Sequence, residues 1–144
     1  LRLFLQVLPD AAMFGEKDFQ QLLVIRQLVR DYALRIEVQG LATVREPDGL
    51  AMSSRNQYLT TDQRRVAGRL HRVLEQTAER IRAGEDWSML QAGAEESLKS
   101  AGFTPRYFEW RSAQTLGPPV PDHPQRLLAA AHLGRARLID NVRV

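Results

Sequence analysis

The pattern that decides the fold occupies residues 11–38 and reads AAMFGEKDFQQLLVIRQLVRDYALRIEV. A short apolar segment at 11–14 precedes a helical segment at 18–32, and a second short strand segment at 34–38 is closed by Gly40. Apolar side chains recur at helical spacing on one face of the middle segment: Phe19, Leu22, Ile25, Val29 and Tyr32. Strand, helix and strand with short links predict a βαβ unit, and such units build parallel sheets.

The remainder of residues 1–43 fits the end of a larger α/β domain. Residues 1–7 predict the end of an apolar helix, which Pro9 stops. The segment at 11–14 is expected to be a buried strand. Two parallel strands leave faces and edges uncovered and do not make a stable sheet alone. The two strands are therefore expected to belong to a larger sheet.

Residues 43–59 predict an irregular segment that serves as an inter-domain hinge. Pro47-Asp48-Gly49 is a turn signal, and Met52-Ser53-Ser54-Arg55-Asn56 reads as a polar loop. The Ser-Ser-Arg cluster has few apolar neighbours, so we expect residues 47–56 to be mobile without a ligand.

Residues 60–144 predict a small α+β unit that begins with two helices. Thr60 and Gln63 form a capping box that opens a long helix, which Gly84 ends. Asp86 caps a second helix, which ends at Gly102. The inward positions of the two helices are Val66, Leu70, Val73, Leu74 and Ile81, then Trp87, Leu90, Ala94 and Leu98.

Three strands are expected after these helices. Residues 106–112 alternate as a strand, and residues 127–133 and 136–142 flank Gly134-Arg135, a hairpin signal. Four prolines at positions 118, 119, 121 and 124 mark the loop between the first two of these strands.

Composition excludes several classes of function. The chain has 144 residues and no Cys, which excludes a disulfide scaffold, Cys-ligated zinc and a thiol nucleophile. No apolar run approaches the ~20 residues that cross a bilayer. His71, His123 and His132 lie far apart without metal-ligand spacing, so we expect no metal site. The net charge is +3, and nearly all of the basic residues are arginine. This charge fits an anionic ligand without requiring one.

The first candidate site is Phe14-Gly15-Glu16-Lys17-Asp18, between a strand and a helix start. Ligands of parallel α/β sheets bind at the carboxyl ends of strands, and helix N-termini attract phosphate. Gly15 would admit a ligand close to the backbone, Lys17 would supply a cation, and Asp18 would accept hydrogen bonds from ribose hydroxyls. The structural alternative is that Asp18 caps the helix while Glu16 and Lys17 are solvated. Gln20 and Gln21 could reach a substrate or lie on the surface.

The second candidate site is Met52-Ser53-Ser54-Arg55-Asn56. Two hydroxyls and a guanidinium suit a triphosphate, because Arg makes forked hydrogen bonds to phosphate oxygens. The loop also resembles the mobile Lys-Met-Ser-Lys-Ser loop of class I aminoacyl-tRNA synthetases. An ordinary polar loop before a helix is the alternative.

Together these motifs resemble the pantoate–β-alanine ligase family. The similar stretches are residues 3–10, LFLQVLPD; residues 14–22, FGEKDFQQL; and residues 44–56, VREPDGLAMSSRN. Ala129-Ala130-Ala131 and Leu138-Ile139-Asp140-Asn141 are similar as well. The resemblance covers essentially the whole chain.

The resemblance implies an adenylate-forming ligase of pantothenate biosynthesis. Pantoate attacks the α-phosphorus of ATP, which comes with Mg²⁺, and the amine of β-alanine then displaces AMP. It implies ATP-binding roles for Gly15, Glu16, Lys17, Asp18, Val44, Met52, Ser53, Ser54 and Arg55. It implies that Gln21 binds pantoate, and it assigns no catalytic residue and no tightly bound cofactor.

The resemblance also implies that the chain is the C-terminal half of a longer enzyme. Family members are roughly twice as long, and their first half carries a His-x-Gly-His motif that is absent here. Residues 1–43 would end the Rossmann-like nucleotidyltransferase domain, and residues 44–144 would form the C-terminal α+β lid domain. A cytoplasmic homodimer without nucleic-acid or membrane partners is expected, and the chain alone is expected to be inactive.

Two other functions stay open from the sequence. One is a different class I synthetase-like nucleotidyltransferase domain that uses the Ser-Ser-Arg loop on another acid. The other is a non-enzymatic nucleic-acid-binding module that uses the arginines, which predicts a steeply salt-dependent affinity.

Overall fold

The computed structural model describes all 144 residues and divides into two compact units, Leu1–Thr43 and Val44–Val144. It is an α/β structure with one parallel and one antiparallel sheet. No helix combines the length and the apolar character needed to cross a membrane. The domain roles assigned above to residues 1–43 and 44–144 stay predictions.

The first unit is the predicted βαβ arrangement. Helix α1 (Arg2–Val7) precedes strand β1 (Ala11–Gly15), a 3₁₀ turn (Glu16–Asp18), helix α2 (Phe19–Asp31) and strand β2 (Glu37–Leu41). The two strands pair in parallel, from Ala11 with Glu37 to Gly15 with Leu41. Phe19 and Leu22 are the buried side chains of α2. A Cβ built on Gly40 would lie 3.1 Å from Cδ2 of Leu22, so this glycine allows β2 to approach the helix closely.

Three details of the first unit differ from the sequence prediction. The second strand begins at Glu37, and Gly40 lies within it. Ala33 has a φ of 49°, so the chain turns after α2 and becomes extended only later. The strand at 11–14 was expected to be buried, but Met13 is 64% exposed because a two-stranded sheet leaves a face uncovered. Tyr32, expected on the inner face, lies beyond the helix and is exposed.

The second unit has three helices and a three-stranded antiparallel sheet, and the second and third of these helices pack on the sheet. Its helices are α3 (Thr61–Ala67), α4 (Arg69–Arg82) and α5 (Trp87–Ser100), and its strands are β3 (Thr104–Ser112), β4 (Gln125–Leu133) and β5 (Ala136–Arg143). The strand order is β3–β4–β5. Apolar side chains of α4, α5 and all three strands form one core, with Leu74 and Phe108 fully buried.

The local signals in this unit are confirmed. Thr60 and Gln63 form both hydrogen bonds of the capping box, and the Asp86 side chain accepts a hydrogen bond from the Met89 N–H. Gly134 lies in the β4–β5 hairpin turn with a φ of 57°. Trp87 packs against the core and stacks on Phe108 at a ring distance of 6.4 Å.

The expected long helix is broken in two at Gly68, which separates α3 from α4. Val66, predicted to belong to the buried stripe, lies on α3, before this break, and is 36% exposed. The other predicted stripe residues of α4 (Leu70, Val73, Leu74 and Ile81) are buried.

Residues 44–59 are more ordered than an irregular segment. Arg45 and Ala51 form an antiparallel bridge, and the N–H of Gly49 donates to the carbonyl of Glu46 at 2.9 Å. Gly49 has a φ of 90°, which is typical of a three-residue hairpin loop that ends in a left-handed residue. A 3₁₀ helix (Ser54–Tyr58) follows. Part of the segment predicted to be a polar loop is therefore helical. The hinge role of the segment stays a prediction.

Candidate functional site

Gly15 lies where β1 ends, at the start of the first candidate site. Its backbone is extended, with φ −68° and ψ 134°, which any residue can adopt. A Cβ built there would meet no atom within 4 Å. Nothing in the fold of this unit therefore requires glycine at this position. A glycine here can still be explained by a ligand that approaches the backbone closely.

Asp18 precedes α2 but its side chain makes no capping hydrogen bond. The structural alternative for this residue, a helix cap, is therefore wrong, and its exposed carboxylate lies at the helix start. Lys17 and Glu16 are half-buried in the 3₁₀ turn just before it. Gln21 is exposed on the first turn of α2. The unit thus places a cation, a carboxylate and an amide around one helix N-terminus, where the partial positive charge attracts anions.

The second candidate site begins with a small hairpin, residues 44–52. The N–H of Met52 donates to the carbonyl of Val44 at 2.9 Å, and the N–H of Glu46 donates to the carbonyl of Leu50 at 2.8 Å. Leu50 and Ala51 are buried, whereas the side chains of Val44 and Met52 are exposed. The hairpin therefore holds the two exposed apolar side chains next to each other at its open end. An exposed apolar pair of this kind can contact a purine base.

A partly buried ion pair anchors this hairpin to β5. Arg45 donates to both carboxylate oxygens of Asp140, at 2.7 and 2.9 Å, and Arg45 also donates to the carbonyl of Gly49 at 3.0 Å. His71 Nδ1 lies 3.3 Å from the same carboxylate, without hydrogen-bond geometry. Burial raises the pKa of Asp140, but the contacts of His71 and Arg45 and the N–H of Asn141 outweigh it, so the pKa lies below its ordinary value.

A second ion pair holds the tip of the hairpin. Arg64 donates to Asp48 at 2.5 and 3.2 Å. These hydrogen bonds lower the pKa of the Asp48 carboxyl, although burial opposes them. A Cβ on Gly49 would lie 2.7 Å from Cδ2 of His71, so the tip packs directly on α4. Asp48 is thus paired with Arg64.

The Ser-Ser-Arg cluster, residues 53–55, follows the hairpin, and hydrogen bonds within the segment, without an ion pair, hold it. Ser53 Oγ accepts from the N–H of Arg55 at 3.2 Å, and Asn56 Nδ2 donates to the carbonyl of Ala51 at 3.1 Å. Arg55 is exposed, and its guanidinium makes no ion pair in the structure. The cluster therefore presents hydroxyl groups and an uncompensated guanidinium beside the exposed Val44 and Met52. Such donors suit phosphate oxygens.

The structure thus brings the predicted residues into two groups, one in each unit. Gly15, Glu16, Lys17, Asp18 and Gln21 lie around the start of α2; Val44, Met52, Ser53, Ser54 and Arg55 lie on and after the hairpin. Their ligand contacts stay predictions. Sequence reasoning missed the anchoring residues Arg45, His71 and Asp140. Arg45 and Asp140 lie in the motifs already noted, but 95 positions separate them, and no local pattern shows that they pair. No cluster of three metal-ligating side chains is present.

Comparison with known proteins gives a consistent result. The family model described as pantoate-beta-alanine ligase matches residues 1–143. A pantothenate synthetase of Bradyrhizobium sp. is 51% identical over 99% of this chain and 51% of its own length. A pantothenate synthetase of Pseudomonas aeruginosa is 53% identical with the same coverage. The chain spans about half the length of the curated relatives it matches.

Solved structures agree with the sequence relatives. Pantothenate synthetase from Thermus thermophilus matches 98% of this chain and 52% of its own, with 43% identity and a TM-score of 0.89. The pantoate-beta-alanine ligase of Francisella tularensis, complexed with beta-gamma ATP and beta-alanine, covers 99% of this chain and 46% of its own, with 27% identity and a TM-score of 0.71.

Proposed function

The chain belongs to the pantoate–β-alanine ligase family, and we propose that it supplies nucleotide-binding and pantoate-binding residues for the ATP-dependent activation of pantoate. In the first step a carboxylate oxygen of pantoate attacks the α-phosphorus of ATP. The bond between the α-phosphorus and the bridging oxygen breaks, and pyrophosphate leaves. In the second step the amine of β-alanine attacks the acyl carbon, AMP leaves, and the nitrogen loses a proton as the amide of pantothenate forms.

The start of α2 carries this proposal. Gly15 has no structural reason to be glycine, and Asp18 does not cap the helix that it precedes. Both observations are explained when a nucleotide lies against this turn, with Lys17 at the phosphates and Asp18 at the ribose. Glu16 lies in the same turn, and Gln21, one helical turn on, would bind pantoate. Charge that spreads over phosphate oxygens in the transition state is stabilised by fixed donors and cations of this kind.

The hairpin and the Ser-Ser-Arg cluster of the second unit would supply further contacts to the nucleotide. The exposed Val44 and Met52 would contact the adenine, with the Val44 backbone as a polar partner. Ser53, Ser54 and Arg55 would donate to the phosphates. A segment that covers the reactive acyl adenylate would also keep water from it.

Mg²⁺ would enter with ATP as part of the substrate. The chain has no cluster of carboxylates or histidines that could hold the ion by itself. Magnesium in nucleotide sites is commonly held by phosphates and water with few protein ligands. The Francisella complex with beta-gamma ATP and beta-alanine supports ATP and β-alanine as substrates. We further propose that the complete protein is a cytoplasmic homodimer with a Rossmann-like first domain.

The test is ATP–pyrophosphate exchange by the full-length enzyme, meaning the natural protein of which this chain is expected to be the C-terminal half. Exchange of labelled pyrophosphate into ATP is expected only when pantoate and Mg²⁺ are present. If exchange requires another acid and does not depend on pantoate, the result would favour a different synthetase-like nucleotidyltransferase. Catalysis of pantothenate synthesis by the 144-residue chain alone is not expected, because the relatives are about twice as long.

A further inference from the structure

The ion pair between Arg45 and Asp140 joins the hairpin to the antiparallel sheet of the second unit. Asp140 lies on β5 opposite Ala129 of the central strand, and its side chain is 3% exposed. Its carboxylate also accepts from the N–H of Asn141 at 2.8 Å. The acceptor is thus fixed by the sheet itself. A forked guanidinium–carboxylate pair sets both distance and direction, which a single-point contact does not.

Arg45 transmits this fixed position to the hairpin at two points. Its backbone pairs with Ala51 across the hairpin, and its Nη1 donates to the carbonyl of Gly49 at the turn. The residues next outward from the bridged pair are Val44 and Met52, which are themselves joined by a backbone hydrogen bond of 2.9 Å. A displacement of Arg45 therefore moves both residues together.

We propose that Asp140, acting through Arg45, is a positioning residue that sets the location of Val44, Met52 and the following Ser53 for the nucleotide. The proposal rests on the proposed function of these three residues. Asp140 does not touch the substrate in it. A buried ion pair adds little net stability compared with apolar side chains of similar size, whereas its geometry is exacting. Position, more than stability, is what this pair supplies.

The experiment compares three variants of the full-length enzyme at a temperature where each is folded. Asp140→Ala removes the acceptor. The double variant R45M/D140L replaces the ion pair with apolar side chains that fill the space but leave the Gly49 carbonyl without its donor. Arg80→Ala is the matched control, because it breaks the exposed Arg80–Glu85 pair near the end of α4. Pantoate-dependent exchange gives the KM for ATP and for pantoate, and calorimetry gives the affinity for a non-hydrolysable ATP analogue.

A positioning role predicts that Asp140→Ala and the double variant both lower kcat/KM for ATP, about 10- to 100-fold. The KM for pantoate stays within about twofold, and analogue affinity falls in parallel with kcat/KM for ATP. The double variant keeps this defect even where its thermal stability returns to that of the wild type. Arg80→Ala behaves as the wild type in every measurement.

A purely structural role gives a different result, which would overturn the proposal: ATP kinetics and analogue affinity return to wild-type values whenever the protein is folded. Where neither Asp140→Ala nor the double variant folds, Arg45→Lys replaces them under the same criterion, since it keeps the charge but cannot form the fork. Failure of the proposed function is distinct. In that case the wild-type enzyme shows no pantoate-dependent exchange, and analogue affinity alone decides the role of Asp140.

Discussion

Gly68 faces the backbone carbonyl of Asp48 so closely that a Cβ built on the glycine would lie 2.4 Å from that oxygen. The contact seats the tip of the hairpin in the break between α3 and α4. Arg64, on the turn of α3 before the break, pairs with the side chain of the same aspartate. The end of α3 therefore contacts both the backbone and the side chain of Asp48. The close approach of the backbone is possible only because residue 68 has no side chain.

Gly68→Ala is expected to destabilise the second unit by about 1–3 kcal/mol, because the new methyl group would force the Asp48 carbonyl away. The free energy of unfolding in urea measures this. Gly93→Ala is the matched control: Gly93 lies within α5, and a Cβ there meets nothing within 4 Å. Higher helix propensity should make this variant more stable by about 0.5–1 kcal/mol. Equal effects of the two substitutions would contradict the steric explanation.

Lys17→Ala in the full-length enzyme is expected to remove about 2–4 kcal/mol of transition-state stabilisation, because a cation at the phosphates would be lost. The measurement is kcat of pantoate-dependent ATP–pyrophosphate exchange. Lys99→Ala is a sharp control, since Lys99 is the only other lysine of the chain and is exposed in the last turn of α5. Circular dichroism must show both variants folded. Unchanged exchange in Lys17→Ala would remove Lys17 from the nucleotide site.

Much of the fold was predictable because its signals are local. The capping box at Thr60 and Gln63 and the turn at Gly134 each depend on residues that are close in sequence. The break at Gly68 was not predictable from the helical pattern, and the residue that Gly68 faces there, Asp48, lies twenty positions away in the sequence. The start of β2 was misplaced for a similar reason: its register is set by pairing with β1, and apolar alternation alone does not fix it.

The candidate site divides in the same way. The residues expected to contact ligand, such as Lys17 and Arg55, stand in contiguous motifs and could be named from the sequence. The residues that hold these motifs could not, because Asp140 reaches Arg45 only in the folded unit. Charge pairs between distant segments leave no periodic pattern, so their partners become visible only in three dimensions.

The stability contributed by Asp140 is expected to depend on pH in the acid range. Its pKa is lower in the folded protein than in the unfolded chain, so the folded state binds the proton less well. The stabilisation is therefore fully present above the unfolded pKa and is lost as the pH falls through the folded pKa, below about pH 4.

Urea unfolding of the wild type and of Asp140→Asn between about pH 7 and about pH 2.5 tests this dependence. The difference between their free energies of unfolding should be constant near neutral pH and shrink below about pH 4. Glu85→Gln should show a much smaller difference, since solvent screens the exposed Arg80–Glu85 pair. A wild-type advantage over Asp140→Asn that persists undiminished at the acid end would show that the ionised carboxylate is not its source.

Hydrogen exchange should divide the predicted mobile segment, residues 47–56, into two parts. The N–H groups of Gly49 and Met52 already donate to backbone carbonyls, and Leu50 and Ala51 are buried, so the hairpin is expected to be protected without nucleotide. The N–H groups at positions 53 and 54 have no such partner, and the N–H of Arg55 donates only to the hydroxyl of Ser53, at 3.2 Å. These three residues lack the contacts that hold the hairpin and are expected to exchange quickly.

A triphosphate would supply the acceptors that residues 53–55 lack, so an ATP analogue bound to the full-length enzyme should slow exchange at 53–55 and change little at 49–52. Arg55→Ala should abolish the slowing and weaken adenylate formation, while protection of the hairpin stays as in the wild type. Protection at 53–55 that is the same with and without the analogue would rule out ordering of the cluster over the nucleotide. If the analogue slows exchange only at residues 49–52, then the nucleotide orders the hairpin and not the Ser-Ser-Arg cluster.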